Sequence, residues 1–352
     1  MITFEGVSKV YPDGTVAVER LDMELPTGEL TVLVGPSGCG KTTSLRMINR
    51  MVTPSTGRVL IDGVDVAGQD EALLRRGIGY VIQAAGLFPH RTIVENIMTV
   101  PALVGTSKKK ARATAVELME RVGLTPSLAD RYPVQLSGGQ QQRVGVARAL
   151  AADPPVMIMD EPFSAVDPIV REGLQAEFLR LQRDLGKTIA MVTHDIDEAI
   201  KLGDNVAVFQ EGGRLAQFAT PRELLANPAD DFVAGFVGRD RGFRSLSFDS
   251  AAGLDVAPLS EVAGGPEQLV LDEAGRPLGW TGPGLGSTAS PTPTGGAFQV
   301  TDSLRLVTDL AITSPVGVVV RVDERGVADG VIRHTALMQQ LEARRRREVD
   351  PA

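Results

Sequence analysis

LTVLVGPSGCGKTTSLRMINRM, residues Leu30–Met51, is the stretch that decides the fold. Five apolar residues in a row, Leu30–Val34, suit a strand covered on both faces. The strand runs into Gly35, Pro36, Ser37, Gly38, Cys39 and Gly40, and Lys41, Thr42 and Thr43 open a helical segment that reaches Met51. Glycines allow backbone N–H groups to curl around phosphate oxygens where side chains would collide. The positive end of the helix then faces the same anion. Lys41 adds a full charge near the β- and γ-phosphates of a nucleotide, and Thr42 offers a hydroxyl to magnesium. The bland reading is a chance glycine-rich loop; strand before and helix after argue against it.

Working outward, strands and helices alternate. Val59–Gly63 and Ile78–Ile82 are strand candidates, and the pattern turns helical from about Ile93 to Ala129, with Val116, Met119 and Val122 on one face. Val156–Met159, Thr188–Val192 and Asn205–Phe209 read as strands, and Arg171–Leu185 and Ile196–Leu202 as helices between them. Such alternation predicts an α/β core with a mainly parallel sheet, into which residues 90–150 are a helical insert.

Val156–Met159 delivers two adjacent carboxylates, Asp160 and Glu161, at its C-terminal end. Side chains alternate along a strand, so the pair cannot share one job. Asp160 suits the shell of a hard cation such as Mg2+, and Glu161 suits the general base that polarises an attacking water. A solvated strand end with two acids is the plain alternative. A third element, Leu136-Ser137-Gly138-Gly139-Gln140, places a serine and two glycines before a helix, a second anion-accepting start.

LSGGQ in this setting resembles the signature of ATP-binding cassette (ABC) proteins, and the resemblance runs over residues 1 to about 238. It implies a P-loop core with a β-subdomain and a helical subdomain. It also implies a head-to-tail homodimer, in which the signature of one subunit closes on the ATP held by the other. Further residues match in order. Gln83 matches the glutamine that touches magnesium and water and links ATP to the membrane-facing segment. Ser164 to Asp167 matches the D-loop. His194 matches the switch histidine that reaches the γ-phosphate, a place where an imidazole can donate or accept. Tyr11 matches the aromatic that stacks on adenine. His90 and His334 match no motif.

Within the family, Met47–Arg50, Ile78–His90, Asp160–Phe163 with Ala165–Pro168, and Thr193–Asp204 resemble the quaternary-amine importer ATPases (glycine betaine, carnitine, choline, proline). Ser164 departs from the glycine frequent in that group. The resemblance implies an ATP hydrolase at the cytoplasmic face of a membrane. It would be held there by transmembrane permease subunits, contacted through residues 84–98, and supplied by a substrate-binding protein. Importers of polyamines, amino acids or anions use similar motors, so the solute stays open. ABC ATPases of DNA or ribosome work resemble fused cassettes or carry long coiled coils, features not found here. A regulator without turnover conflicts with the presence of Glu161.

Bulk properties agree. A net charge of -8 disfavours broad nucleic-acid binding. The single cysteine, Cys39, excludes an intramolecular disulfide and fits a reducing compartment. No signal peptide and no run of ~18 apolar residues is found.

After Gly238 the composition shifts. Residues 239–250 read as a charged, serine-rich linker and 275–297 as a flexible loop. A weak repeat flanks that loop: Asp272–Gly275 and Asp323–Gly326 each follow an apolar strand and read as hairpin turns. Residues 251–343 resemble a degenerate tandem of CBS modules, a small α+β regulatory domain. Arg333 and Ala336 stand where a nucleotide-binding copy carries Ser/Thr and Asp, so a structural or dimerisation role has equal standing. The tail 344–352 carries Arg344–Arg347. Two readings stand for this run: a solvated helix end complementing the helix dipole, and a contact with anionic lipid.

Overall fold

The computed structural model describes residues 1–83, 86–164, 166–263 and 265–349. The chain divides into two compact units, Met1–Gly238 and Arg239–Ala352. No helix among the described residues is long and apolar enough to cross a membrane.

In the first unit, β1 (Ile2–Val10), β2 (Val16–Leu25), β4 (Thr56–Ile61) and β5 (Val64–Asp65) form an antiparallel sheet in the order β2-β1-β4-β5. The second sheet has six strands: β3 (Leu30–Val34), β6 (Ile78–Val81), β7 (Val156–Asp160), β8 (Thr188–Thr193), β9 (Asn205–Gln210) and β10 (Arg214–Ala219). Their order is β10-β9-β3-β8-β7-β6, and all pairs are parallel except β9 with β10. β3 is buried at all five positions because β8 and β9 flank it, which explains its unbroken apolar run. Ile2 and Phe4 of one sheet meet Leu45 and Ile48 of α1 (Lys41–Ile48) and Leu33, Ile158 and Val192 of the other in one core.

α2 (Glu71–Arg76) precedes β6. Between β6 and β7 lie α3 (Ile93–Ile97), α4 (Thr99–Leu103), α5 (Lys108–Arg121) and α6 (Gly138–Leu150), of which α3, α5 and α6 pack on one another. The buried face of α5 is Ala111, Ala115, Leu118 and Met119, with Val122 just beyond. Val116, expected on that face, sits at its edge, because two alanines rather than a second large residue complete the stripe. α7 (Pro168–Leu185), α8 (Ile196–Leu202), α9 (Pro221–Ala226) and α10 (Asp231–Val237) complete the unit.

The second unit contains α11 (Arg241–Ser245), α12 (Ser260–Ala263), α13 (Leu304–Thr313) and α14 (His334–Val349). Its strands form two small sheets, β11 (Gln268–Leu271) with β12 (Pro277–Thr281), and β13 (Ala297–Phe298) with β14 (Val318–Val322) and β15 (Ala328–Arg333). Two expectations are corrected here. Residues 239–250, read as a linker, include α11 and place Leu246 against the core formed by Phe298, Leu304 and Val307. Residues 275–297, read as a flexible loop, contain β12, and Trp280 is fully buried against Val318, Val320 and Val331. Burial of one large aromatic fixes a stretch whose glycine and proline content suggests mobility.

The two repeat turns share one hydrogen-bond scheme. Asp272 Oδ1 accepts from Ala274 N at 2.9 Å and Arg276 N at 2.8 Å. Asp323 Oδ1 accepts from Arg325 N at 2.9 Å and Val327 N at 2.8 Å. Ala328 N donates to Gly275 O at 2.9 Å, so the two copies meet at their turns.

Candidate active site

β3 delivers the chain into the glycine-rich loop, and two glycines there are obligatory. Gly35 has φ 154°, and a Cβ would strike Phe209 O. Gly40 has φ 90°, and a Cβ would strike Ala17 O. Both positions therefore need the absence of a side chain as well as the backbone freedom. Gly40 precedes α1 without any side-chain cap, so the first amides of the helix face the loop.

The loop and the ends of β7 and β8 enclose a cavity of about 230 Å3, lined by Ala17, Ser37–Thr43, Glu161 and His194. Lys41 is buried, and its Nζ donates to Gly35 O and Pro36 O, both at 2.8 Å, with Cys39 Sγ 3.6 Å away. Burial pushes the Cys39 thiol above its ordinary pKa, against the pull of the Lys41 charge.

Asp160 and Glu161 have separate partners. Asp160, at the end of β7, accepts from Thr42 Oγ1 at 2.9 Å through Oδ1 and from Arg46 Nη2 at 3.3 Å through Oδ2. Glu161 leaves the strand with φ 46°, a left-handed conformation uncommon outside glycine. Its N–H donates to Val192 O at 3.0 Å. Its carboxylate is held from two sides, by Gln83 Nε2 at 3.0 Å on Oε2 and by His194 Nδ1 at 3.2 Å on Oε1. The turn is closed by Ser164 Oγ, which donates to Glu161 O at 3.0 Å.

The structure thus gathers Lys41, Thr42, Asp160, Glu161, Gln83 and His194 around one loop. Tyr11, Asp167 and the Ser137–Gln140 segment stand apart from this cluster. Tyr11 lies at the β1–β2 turn, where Lys9 Nζ stands 5.2 Å from its ring centroid. Asp167 is exposed just before α7, and Ala165 of the same segment lies outside the described residues. Ser137 caps α6 in a reciprocal pair with Gln140: Gln140 N donates to Ser137 Oγ at 3.3 Å, and Ser137 N to Gln140 Oε1 at 3.0 Å. Gly138 and Gly139 open that helix.

Sequence reasoning missed Arg46, Ala17 and Asn96. Arg46 stands four residues after Thr42 on α1, so both reach Asp160 from one helix face; that spacing was legible. Ala17 enters only through tertiary approach. Asn96, fully buried, accepts from Phe88 N at 2.7 Å and donates to Phe88 O, Arg91 O and Thr92 O at 3.0–3.1 Å. It fastens the turn in the segment expected to meet a permease, whose first two residues, 84 and 85, lie outside the described residues.

A phosphate-binding loop between a buried parallel strand and a helix, with paired carboxylates on the neighbouring strand and a capped glycine-rich helix in the insert, defines a P-loop ATPase of the cassette class. Comparison with known proteins agrees. An ABC transporter family profile matches residues 18–164. The chain is 46% identical over 354 residues to the osmoprotectant import ATP-binding protein OsmV of Salmonella typhimurium, covering 94% of this chain and 92% of that protein. It is 53% identical over 245 residues to the glycine betaine/carnitine/choline transport ATP-binding protein OpuCA of Bacillus subtilis, covering 70% of this chain and 64% of that one. It is 41% identical over 280 residues to the sulfate/thiosulfate import ATP-binding protein CysA of Thermosynechococcus vestitus, covering 80% and 81%. The dimeric structure of MJ0796, a bacterial ABC transporter cassette, aligns with a TM-score of 0.57 at 33% identity, over 63% of this chain and 99% of that one. The chain belongs to the ABC transporter ATP-binding proteins.

Proposed function

We propose that the chain is the ATPase subunit of an importer for quaternary-amine osmoprotectants such as glycine betaine, carnitine or choline. The observation that carries this reading is the match to OsmV, which runs along 94% of this chain and so into the second unit. The match to CysA favours a second reading, an importer of another solute, because the ATPase itself does not touch the cargo. Reconstitution with the permease and binding protein decides between them. ATP-dependent glycine betaine uptake into vesicles is expected; sulfate uptake without betaine uptake favours the second reading.

In this proposal ATP lies on the loop from Gly35 to Thr43. Lys41 leaves its carbonyl partners to meet the phosphates, and Tyr11 stacks on adenine. The oxygens of Thr42, Asp160 and Gln83 suit Mg2+: a hydroxyl and a carboxylate already 2.9 Å apart are the donor types a hard cation prefers. Mg2+ bound there would neutralise phosphate charge. Glu161 accepts the proton of the attacking water. The Gln83 and His194 contacts keep its carboxylate in one place, and His194 can hydrogen-bond the γ-phosphate. Ser137–Gln140 of a second subunit completes the site head to tail, with Asp167 at the seam. The permease subunits dock on the segment held by Asn96. The second unit is a degenerate CBS-like pair, supported by its matching turns, and Arg344–Arg347 offers contact with anionic lipid; the side chains of Arg345 and Arg347 lie outside the described part.

Asp160→Asn tests the metal assignment. The amide keeps the shape and halves the acceptor capacity, so the Mg2+ concentration that supports binding of a fluorescent ATP analogue is expected to rise ~10–100-fold, the usual range for disturbing a metal site. An unchanged Mg2+ titration removes Asp160 from the metal site.

A further inference from the structure

Behind the cavity lies a buried carboxylate that the chemistry above does not use. Glu198, on α8, is only 6% exposed. Gln175 Nε2, from α7, donates to its Oε1 at 2.9 Å, and the Thr193 hydroxyl is a further hydrogen-bond partner. Burial pushes the Glu198 carboxyl up, the hydrogen bonds from Thr193 and Gln175 pull it down, Asp195 raises it and Arg171 lowers it. Gln175 and Thr193 are themselves buried. None of these groups lines the cavity.

The cluster has two exits. On one side, Thr193 Oγ1 accepts from Asp195 N at 3.1 Å, so Thr193 brackets His194 from both neighbours. On the other side, α7 carries Arg171 one turn before Gln175. Arg171 Nη2 donates to Val166 O at 3.0 Å, and its N–H donates to Asp167 O at 2.8 Å. A carboxylate in a core is costly unless fully hydrogen-bonded, and apolar packing would stabilise α8 against α7 more simply. The worth of Glu198 therefore lies in what it holds in register.

We propose that Glu198 is a positioning residue that locks the turn carrying His194 to α7, the helix that directly follows Asp167, so that the imidazole and the D-loop segment keep one joint arrangement. This rests on the reading of His194 and Asp167 given above. Glu198 acts through Thr193 at the end of β8 and through Gln175 on α7, and touches no substrate. Its loss therefore lowers the rate of the bound state and leaves nucleotide binding to the loop intact.

The test uses the full-length chain, with turnover at saturating Mg-ATP, affinity for a fluorescent ATP analogue and melting temperature measured together. Glu198→Gln and Thr193→Val are each expected to lower kcat about 10-fold, a coupling of ordinary size for a packed network, with affinity within about twofold. Thr193→Ser keeps the hydroxyl and is expected to stay close to wild type. The Glu198→Gln/Thr193→Val pair is expected to lose little more than one substitution alone, because both cut one link. Wild-type kcat in both single variants overturns the proposal. So does a loss that Thr193→Ser shares, or one accompanied by equal weakening of nucleotide affinity, since simple misfolding would produce either. Glu161→Gln and His194→Ala run alongside: loss of turnover in both keeps the site reading in place, so intact turnover in the Glu198 and Thr193 variants then overturns the coupling alone.

Discussion

Glu161→Gln is expected to lower ATP turnover by about 100-fold or more, the loss that follows removal of a positioned general base, with nucleotide affinity within about twofold. The amide preserves volume and can keep a contact to both Gln83 and His194, so the pocket should stay assembled. What disappears is the ability to take a proton. Glu161 is suited to that role by its backbone. A φ of 46° turns the side chain out of the β7 alternation that aims Asp160 at Thr42, and into the gap between Gln83 and His194. Strain of this kind persists where surrounding contacts over-determine it, and here Val192 O and Ser164 Oγ supply those contacts. Phosphate release and analogue binding measured on one preparation check the split. Equal rates for variant and wild type would place the base elsewhere.

The second large effect concerns Gly138. In a chain that already carries Glu161→Gln, ATP is expected to hold two subunits together, and adding Gly138→Asp is expected to abolish that dimer. Gly138 is exposed and begins α6 directly after the Ser137 cap. An aspartate at a first helical position is favourable to the helix dipole, so the monomer should fold as well as before. The same carboxylate would face the triphosphate of the opposing subunit. At ~5 Å and an effective dielectric of ~20, repulsion is roughly 3 kcal/mol per phosphate charge, more than a hundredfold in association. Sedimentation with and without Mg-ATP reads the result. A dimer that survives Gly138→Asp rules out the head-to-tail arrangement, and unchanged monomer affinity for ATP shows that the loop around Lys41 is untouched.

Much of the first unit was legible because its signals are local. Five apolar residues before Gly35 mark a strand with neighbours on both sides, and Pro168 at the first turn of α7 marks a helix start three residues earlier than the apolar period alone suggests. Gaps arise where a feature depends on distant segments. Glu161 is clamped by residues that follow two other strands, β6 and β8, and no spacing along the chain encodes that meeting. Met119 and Val122 are buried on the face of α5 as expected, but Val116 is only half-buried, and Ala111 and Ala115, which carry little apolar signal, pack closely in its stead. In the second unit, charge hid the helix at Arg241–Ser245, and glycine and proline hid the strand around Trp280. Arg46 was available from its four-residue offset to Thr42, and a search for charged partners of the carboxylate pair along α1 finds it.

Trp280 has one more use. It is the only tryptophan of the chain, and it lies in the core of the unit that does not carry the phosphate loop. Selective excitation of its indole therefore reports on the appended unit alone, without a label or an engineered probe. Emission that shifts when nucleotide fills the other unit would register a message passing between motor and appendage. Emission that stays constant while ATP turns over would mark two modules that work independently.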